Sequence, residues 1–156
     1  MSVPVQLIID EAIRFECGLS SLYLQFHEAS SEDADLWWGI SVSEQGHASL
    51  LESGRKLFSD EFSREMVDAD LDGLRRSNQE LESLIQRLGE EPMDREETFR
   101  VAIAFEDDPN ERILFDLLEI EGSDPAQELV DSIHREDSMH ARRIRAYGSK
   151  HGFAES

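Results

Sequence analysis

The sequence predicts an all-α protein: a four-helix bundle with a long crossover, containing an extra helix, between helices 2 and 3. Apolar residues recur at helical spacing in four long segments. Helix-forming residues dominate the composition, and only four prolines occur. A chain of 156 residues is long enough for one core, so residues 1–156 are interpreted as a single domain.

The first two predicted helices cover residues 4–28 and 32–58, and a polar break with good capping residues separates them. The apolar stripe of the first helix is Ile9, Ala12, Ile13, Glu16, Leu19, Tyr23 and Phe26. The stripe of the second helix is Trp37, Ile40, Ser41, Glu44, His47, Ala48 and Leu51. Both stripes therefore place ionisable side chains where a core is expected.

Residues 59–92 are interpreted as the crossover, because acids and arginines alternate there and the apolar stripe is shorter. One helix is predicted over residues 70–88, ended by Gly89 and Pro92. A helix of that length spans ~27–30 Å, which is about the length of a bundle.

The third long helix is predicted over residues 94–121, with a kink just after Glu106 because Pro109 lies inside it. Its stripe is Phe99, Ala102, Ile103, Glu106, Ile113, Leu117 and Ile120. A tight turn at residues 122–125 then makes the third and fourth helices antiparallel neighbours. The fourth helix is predicted over residues 125–147 and is expected to stop at Gly148.

The net charge of −20 argues against nucleic acid and acidic membrane surfaces as partners. The single cysteine, Cys17, cannot form an internal disulfide, and no Cys-x-x-Cys pair exists for a zinc ribbon or a rubredoxin-like iron site. The apolar run at residues 3–9 has no basic region before it, so neither a signal peptide nor a membrane span is predicted. We therefore expect a cytoplasmic protein.

Each of the four long helices places a carboxylate on its apolar stripe, and two of them add a histidine three residues later. The candidate ligands are Glu16, Glu44, His47, Glu106, Asp137 and His140. Residues three apart lie on one helix face, and buried charges are costly unless they are paired or bind something. Two divalent metal ions against four carboxylates sum to zero charge, with one histidine for each metal. The set therefore predicts a buried di-metal site.

The chain resembles the rubrerythrin-type branch of the ferritin-like di-iron carboxylate superfamily over nearly its whole length. The matching motifs are Glu16 with Tyr23 seven residues on, Glu44-Gln45-Gly46-His47, Ala102-Ile103-Ala104-Phe105-Glu106 with Asp108 behind it, and Ile133-x-x-Glu136-Asp137-x-x-His140-x-x-x-Ile144. The resemblance implies a ferritin-like bundle with two iron ions, for which zinc or manganese could substitute. It also implies oxidoreductase chemistry with dioxygen or hydrogen peroxide, and a homodimer. Because the family's rubredoxin domain is missing, electrons would come from an external donor.

Two features depart from the family's pattern. Asp137 stands where the family usually has glutamate, and it is one methylene shorter, so either Asp137 or Glu136 completes the site. Glu106 has Ile103 and Pro109 at the positions three residues before and after it, so the extra glutamate of peroxide-reducing rubrerythrins is missing.

Two other interpretations stay open at this stage. The site could hold a metal ion for storage, delivery or sensing without turnover. Alternatively, the chain is a metal-free helical scaffold whose core acids pair with His47, His140 or arginines. The hydroxyl of Tyr23 is expected near the site, and a redox role for it is the less favoured interpretation.

Overall fold

The computed structural model describes residues 2–57, 59–62, 66–108 and 124–153. The prediction of a mainly helical protein is confirmed, with the addition of one small sheet. In chain order the elements are β1 (Ser2–Pro4), α1 (Val5–Ala29), α2 (Ala34–Leu57), α3 (Ser59–Phe62), β2 (Met66–Asp68), α4 (Leu71–Leu88), α5 (Arg95–Glu106) and α6 (Asp124–Lys150).

Helices α1 and α2 form an antiparallel pair joined by a short connection. Halfway along the pair, the Ser20 hydroxyl donates to the Ser41 carbonyl at 2.9 Å, and the Ser41 hydroxyl donates to the Ser20 carbonyl at 2.7 Å. At the end away from the connection, Arg55 Nε lies 3.1 Å from Asp10 Oδ1. The two apolar stripes therefore face each other along their whole length, and the ionisable residues on them are buried between the helices.

Helix α4 is the predicted crossover helix, and it runs alongside α1 in the same direction. Its N-cap, Asp70, accepts a hydrogen bond from Gly73 N at 2.9 Å. Asn78 donates to the carbonyl of Glu11 at 3.0 Å, and further along both helices Gln25 donates to the carbonyl of Ile85 at 3.2 Å. Its 18 residues extend ~27 Å, enough to return the chain from one end of the helices to the other.

Helices α5 and α6 complete the arrangement around α1 and α2. Phe99 of α5 stacks on Tyr147 of α6, with ring centroids 5.8 Å apart, while Glu106 at the far end of α5 approaches His140. Helix α5 is thus antiparallel to α6. It is also antiparallel to α1, because Glu106 meets Tyr23 whereas Arg95 meets Asp33 beyond the end of α1. Helices α2 and α5 consequently run in the same direction, which requires the long crossover between them.

Three details of the fold differ from the sequence prediction or limit it. Strands β1 and β2 pair antiparallel, with Val3 opposite Val67, and three-residue strands are too short for their alternation to be recognised.

Helix α6 continues past Gly148 to Lys150, so the predicted stop at Gly148 is wrong. Gly148 instead packs on Phe99, and a Cβ atom there would lie 3.3 Å from the Phe99 ring. Helix α5 ends at Glu106 instead of continuing through the predicted kink, because a proline disfavours helical backbone at the residue before it. Residues 109–123, which contain the rest of the predicted third helix and the start of the predicted turn at residues 122–125, lie outside the described residues.

In the part of the chain that the structure describes, the core consists of two hydrophobic clusters with a polar layer between them. The first cluster lies beside the small sheet and is made of Val5, Ile8, Ile9, Leu51, Leu71, Leu74, Val130 and Ile133. The second is aromatic-rich and includes Phe15, Tyr23, Phe26, Trp37, Phe99 and Ile144. Along α1, α2 and α6 the candidate ligands fall between these clusters. In the described part of the chain, every helix is too short or too polar to cross a bilayer.

Candidate metal centre

The six candidate ligands converge in one buried layer, although they come from four different helices. Their exposed fractions are at most 7%. They are Glu16 on α1, Glu44 and His47 on α2, Glu106 on α5, and Asp137 and His140 on α6. Burying so many ionisable groups together is costly unless something compensates their charge.

The first half of the layer surrounds the inward-facing nitrogen of His47. Its Nδ1 lies 2.9 Å from Asp137 Oδ1, 3.2 Å from Glu44 Oε2 and 3.6 Å from Glu16 Oε2. One ligand atom from each of these four residues lies within 4.8 Å of the others. Three carboxylates and one imidazole around a common centre form a set that could hold a metal ion.

The second half of the layer is built around His140. Its Nδ1 lies 2.8 Å from Glu44 Oε1, and Glu106 joins these two residues to form a second group of ligand atoms within 4.8 Å of one another. The two oxygens of Glu44 therefore face different histidines, whose rings lie 5.5 Å apart. Glu44 is shared between the halves, so it could contribute a ligand atom to each of the two groups.

Several carboxylate oxygens in this layer lack the partners that buried acceptors normally have. Among the described residues, no hydrogen bond reaches Glu16 Oε2, Glu106 Oε2 or either side-chain oxygen of Asp137. The short approach of Asp137 Oδ1 to His47 Nδ1 is not aligned as a hydrogen bond. Buried carboxylate oxygens that lack a hydrogen-bond donor are available as ligands for a bound cation.

Burial changes the protonation of the four carboxyl groups. Burial raises the pKa of Glu16 well above its usual range, and the neighbouring charge of Glu44 adds to that shift. Burial likewise raises the pKa of Glu44 to about 7, that of Glu106 to about 8 and that of Asp137 to about 6. Without a metal ion, the layer therefore retains protons at neutral pH that binding of cations would displace.

The two histidines respond differently to the same surroundings. Burial favours the neutral form of His47, but the facing carboxylates, first among them Asp137, outweigh it and raise its pKa. Burial lowers the pKa of His140. The metal-free layer thus holds one imidazole as a cation among carboxylates and the other as a neutral ring, which offsets only part of the negative charge.

Tyr23 contacts the layer through Glu106. Its hydroxyl donates a hydrogen bond of 2.5 Å to Glu106 Oε1, and its ring stacks on Trp37 with centroids 5.6 Å apart. The hydroxyl that the sequence analysis expected near the site therefore lies against one of the candidate ligands. The hydrogen bond fixes one oxygen of Glu106 and leaves the other facing the layer.

We predict that Tyr23→Phe lowers the free energy of unfolding by about 1–3 kcal/mol, because a buried carboxyl oxygen loses its donor. Tyr147→Phe is the matched control, since the Tyr147 hydroxyl donates to the carbonyl of Glu32 at an exposed position. That control also removes a hydroxyl from beside Asp33, whose carboxylate keeps both hydrogen bonds from Arg95, so we expect it to lose at most about 1 kcal/mol. Urea denaturation of both variants measures the difference, and equal losses would show that the Glu106 contact has no special weight.

The outer nitrogens of both histidines have partners that the sequence did not predict. Glu136 Oε2 lies 2.7 Å from His47 Nε2, and Ser43 Oγ lies 2.9 Å from His140 Nε2. Glu136 is 55% exposed and lies on the opposite side of the His47 ring from Asp137. Of the two acids considered for this position, the structure thus places Asp137 in the buried layer and Glu136 outside it. The only sequence signal was that Ser43 and Glu136 each directly precede a candidate ligand.

The remaining acids near Glu106 are engaged elsewhere. Asp107 pairs with Arg145, and Asp108 accepts a hydrogen bond of 2.9 Å from Ser77. At the position three residues before Glu106, the buried Ile103 belongs to the aromatic-rich hydrophobic cluster. The described residues therefore offer no carboxylate there to extend the layer.

No family model, curated protein or solved structure matched this chain when it was compared with each. The support for a metal centre consequently comes from the geometry of the buried layer. The family resemblance and the homodimer that it implies stay predictions.

Proposed function

We propose that this chain is a ferritin-like di-iron carboxylate protein of the rubrerythrin type, in which ferrous iron reacts with dioxygen or hydrogen peroxide. The main support for this proposal is that the buried layer divides into two ligand groups. The two groups share Glu44, and each contains one histidine. Carboxylate and imidazole ligands together suit iron, manganese and zinc.

The charge of the layer supports two divalent ions rather than one. Two such ions carry as much positive charge as four ionised carboxylates carry negative charge, provided that both histidines are neutral. One ion would leave the layer with excess negative charge in a buried position, which is costly. In the metal-free layer, burial first and the neighbouring carboxylates after it raise the carboxyl pKa values, so that protons offset charge that bound ions would otherwise balance.

The helix directions also support the ferritin-like assignment. Ferritin-like bundles have one long crossover, between their second and third helices. Here α2 and α5 run in the same direction, and α4 occupies the connection between them. The ligands project inward from the four helices on either side of that crossover, as expected for a metal site in the core of such a bundle.

A pair of ferrous ions would supply two electrons, enough to reduce dioxygen to hydrogen peroxide or hydrogen peroxide to water. The chain's own residues would hold the ions, exclude bulk water and keep Glu106 oriented through Tyr23. Repeated turnover needs new electrons, so an external electron donor is part of the same proposal.

A second candidate function, metal binding without turnover, is favoured by one observation. Ile103 stands where an additional carboxylate would extend the second ligand group, and it is buried in an apolar cluster instead. This argues most directly against the peroxide-reducing form of the activity and leaves iron oxidation or iron handling as the better supported forms.

Rapid mixing of anaerobically iron-loaded protein with dioxygen or hydrogen peroxide separates the two candidates. We expect ferrous iron in the protein to be oxidised at least ~10-fold faster than free ferrous iron, because the layer preorganises both ions next to each other. Protein loaded with Zn²⁺ in advance is the control, since its layer cannot take up iron. Binding of two iron ions with an oxidation rate equal to that of free iron would favour the second candidate.

A further inference from the structure

Ser43 and Glu136 connect the outer nitrogens of the two histidines on the solvent side of the buried layer. His47 Nε2 lies 2.7 Å from Glu136 Oε2, and the Ser43 hydroxyl donates to the same Glu136 oxygen at 3.4 Å. His140 Nε2 lies 2.9 Å from Ser43 Oγ. These contacts form a continuous chain from one imidazole to the other through two residues that are not candidate ligands.

The direction of the hydrogen bonds in this chain follows from the chemistry of its ends. If a metal ion binds Nδ1 of a histidine, the ring's remaining proton must lie on Nε2. Both Nε2–H groups would then donate: His140 to Ser43, and His47 to Glu136. The Ser43 hydroxyl donates to Glu136, which as an ionised carboxylate can only accept. All three donors of this hydrogen-bond network therefore have an acceptor, and Glu136 is the final acceptor.

We infer that Glu136 and Ser43 are positioning residues of the metal centre, which hold both histidines with Nδ1 turned inward and available as a ligand. The inference rests on the proposed metal binding and extends it to two residues outside the ligand set. Partners of this kind fix the tautomer and the orientation of a ligating imidazole, and losing one typically weakens metal binding 10–100-fold.

Glu136 is also the acid that would replace Asp137 as a ligand if it rotated inward, and the two roles predict different results. If Glu136 acts as a hydrogen-bond acceptor, glutamine can replace it, because the side-chain oxygen of glutamine also accepts. If Glu136 acts as a ligand that contributes negative charge, glutamine cannot replace it. The pair Glu136→Gln and Glu136→Ala therefore distinguishes positioning from ligation.

The test is a competition titration with Zn²⁺ and a chelator on the full chain, comparing wild type, Glu136→Gln, Glu136→Ala and Ser43→Ala. We expect Glu136→Ala to weaken binding 10–100-fold and Ser43→Ala to weaken mainly the ion beside His140. Glu136→Gln should stay within about threefold of the wild type, because the acceptor remains. Glu128→Ala, which removes another exposed acid from α6, is the matched control and should bind like the wild type.

Nitrogen-15 NMR of the zinc-loaded protein gives a readout that a purely structural role would not move. In the wild type, both rings should carry their proton on Nε2, and that proton should exchange slowly with water. Ser43→Ala should speed exchange at His140 alone, whereas Glu136→Ala should speed it at both rings. Unchanged exchange in both variants would contradict the inference.

The outcomes also separate this inference from the proposed function. Wild-type protein that binds less than one zinc ion per chain would overturn the proposed function, and the inference with it. Wild-type protein that binds two ions while Glu136→Ala binds equally tightly would overturn the inference alone. Equal losses in Glu136→Gln and Glu136→Ala would assign Glu136 as a ligand instead.

Discussion

Replacing Glu44 by glutamine is expected to abolish metal binding in both halves of the layer. Its two carboxylate oxygens face different histidines, and it is the residue that the two ligand groups share. Glutamine keeps the volume but removes the charge that would balance the ions. We expect affinity to fall by more than ~100-fold for both ions, since the loss of a mere positioning partner already costs 10–100-fold.

Glu16→Gln provides the sharpest comparison with that variant. Glu16 belongs only to the group around His47, so its loss should weaken the binding of one ion and leave the other ion bound. Glu52→Gln, at an exposed position of the same helix as Glu44, should bind both ions normally. Anaerobic titration with ferrous iron measures the stoichiometry of all three variants. If Glu44→Gln retained one tightly bound ion, Glu44 could not be the shared ligand.

The stability of the metal-free protein is expected to fall as the pH rises from about 5 to about 8. Burial raises the pKa values of Glu44, Glu106 and Asp137 to about 7, 8 and 6, so the folded state binds protons that the unfolded state has released. A carboxyl group with a raised pKa stabilises the fold below its unfolded pKa, near 4, and loses that contribution as the pH rises through its folded pKa.

The two histidines change how steeply stability falls with pH, but they do not reverse the fall. The pKa of His47 is raised, so above its ordinary value of 6.5 it adds to the loss of stability. The pKa of His140 is lowered, so below 6.5 it acts in the opposite direction. Because four carboxyl groups oppose one histidine, we expect a net loss of at least ~3 kcal/mol over this range, since two pKa units on one group already correspond to about 2.7 kcal/mol.

Thermal unfolding in the presence of a chelator measures this effect, and a loss of that size lowers the Tm by about 6–12 °C for a chain of this length. Glu106→Gln should flatten the pH dependence, because it removes one of the shifted groups, whereas the exposed Glu52→Gln should not. Bound divalent metal should reverse the trend, because its ligands must be deprotonated. A metal-free Tm that rises between pH 5 and pH 8 would contradict this prediction.

Much of the candidate centre could be predicted from sequence because helical periodicity identifies which residues share a buried face. Glu44 and His47 are three apart on an apolar stripe, and the same holds for Asp137 and His140. One such pair would arise by chance in a chain this acidic. The coincidence of four stripes with four carboxylates made the pattern informative, and the structure brings all six side chains into one layer.

The contacts that sequence could not predict depend on distances between helices. In the sequence, Glu136 looks like any other exposed acid. Only the packing of α6 on α2 brings its carboxylate to His47. The stop predicted at Gly148 failed for a related reason, because that glycine serves the close approach of Phe99 rather than the end of a helix. The pairing of β1 with β2 joins segments more than sixty residues apart, which no local pattern encodes.

The most direct test of the proposed di-metal centre is anomalous diffraction from crystals grown with ferrous iron or manganese. We predict two anomalous peaks in the buried layer, one beside Nδ1 of His47 and one beside Nδ1 of His140, with the carboxylate of Glu44 between them. A layer without an anomalous peak, with the six side chains still in contact as they are here, would contradict the proposal.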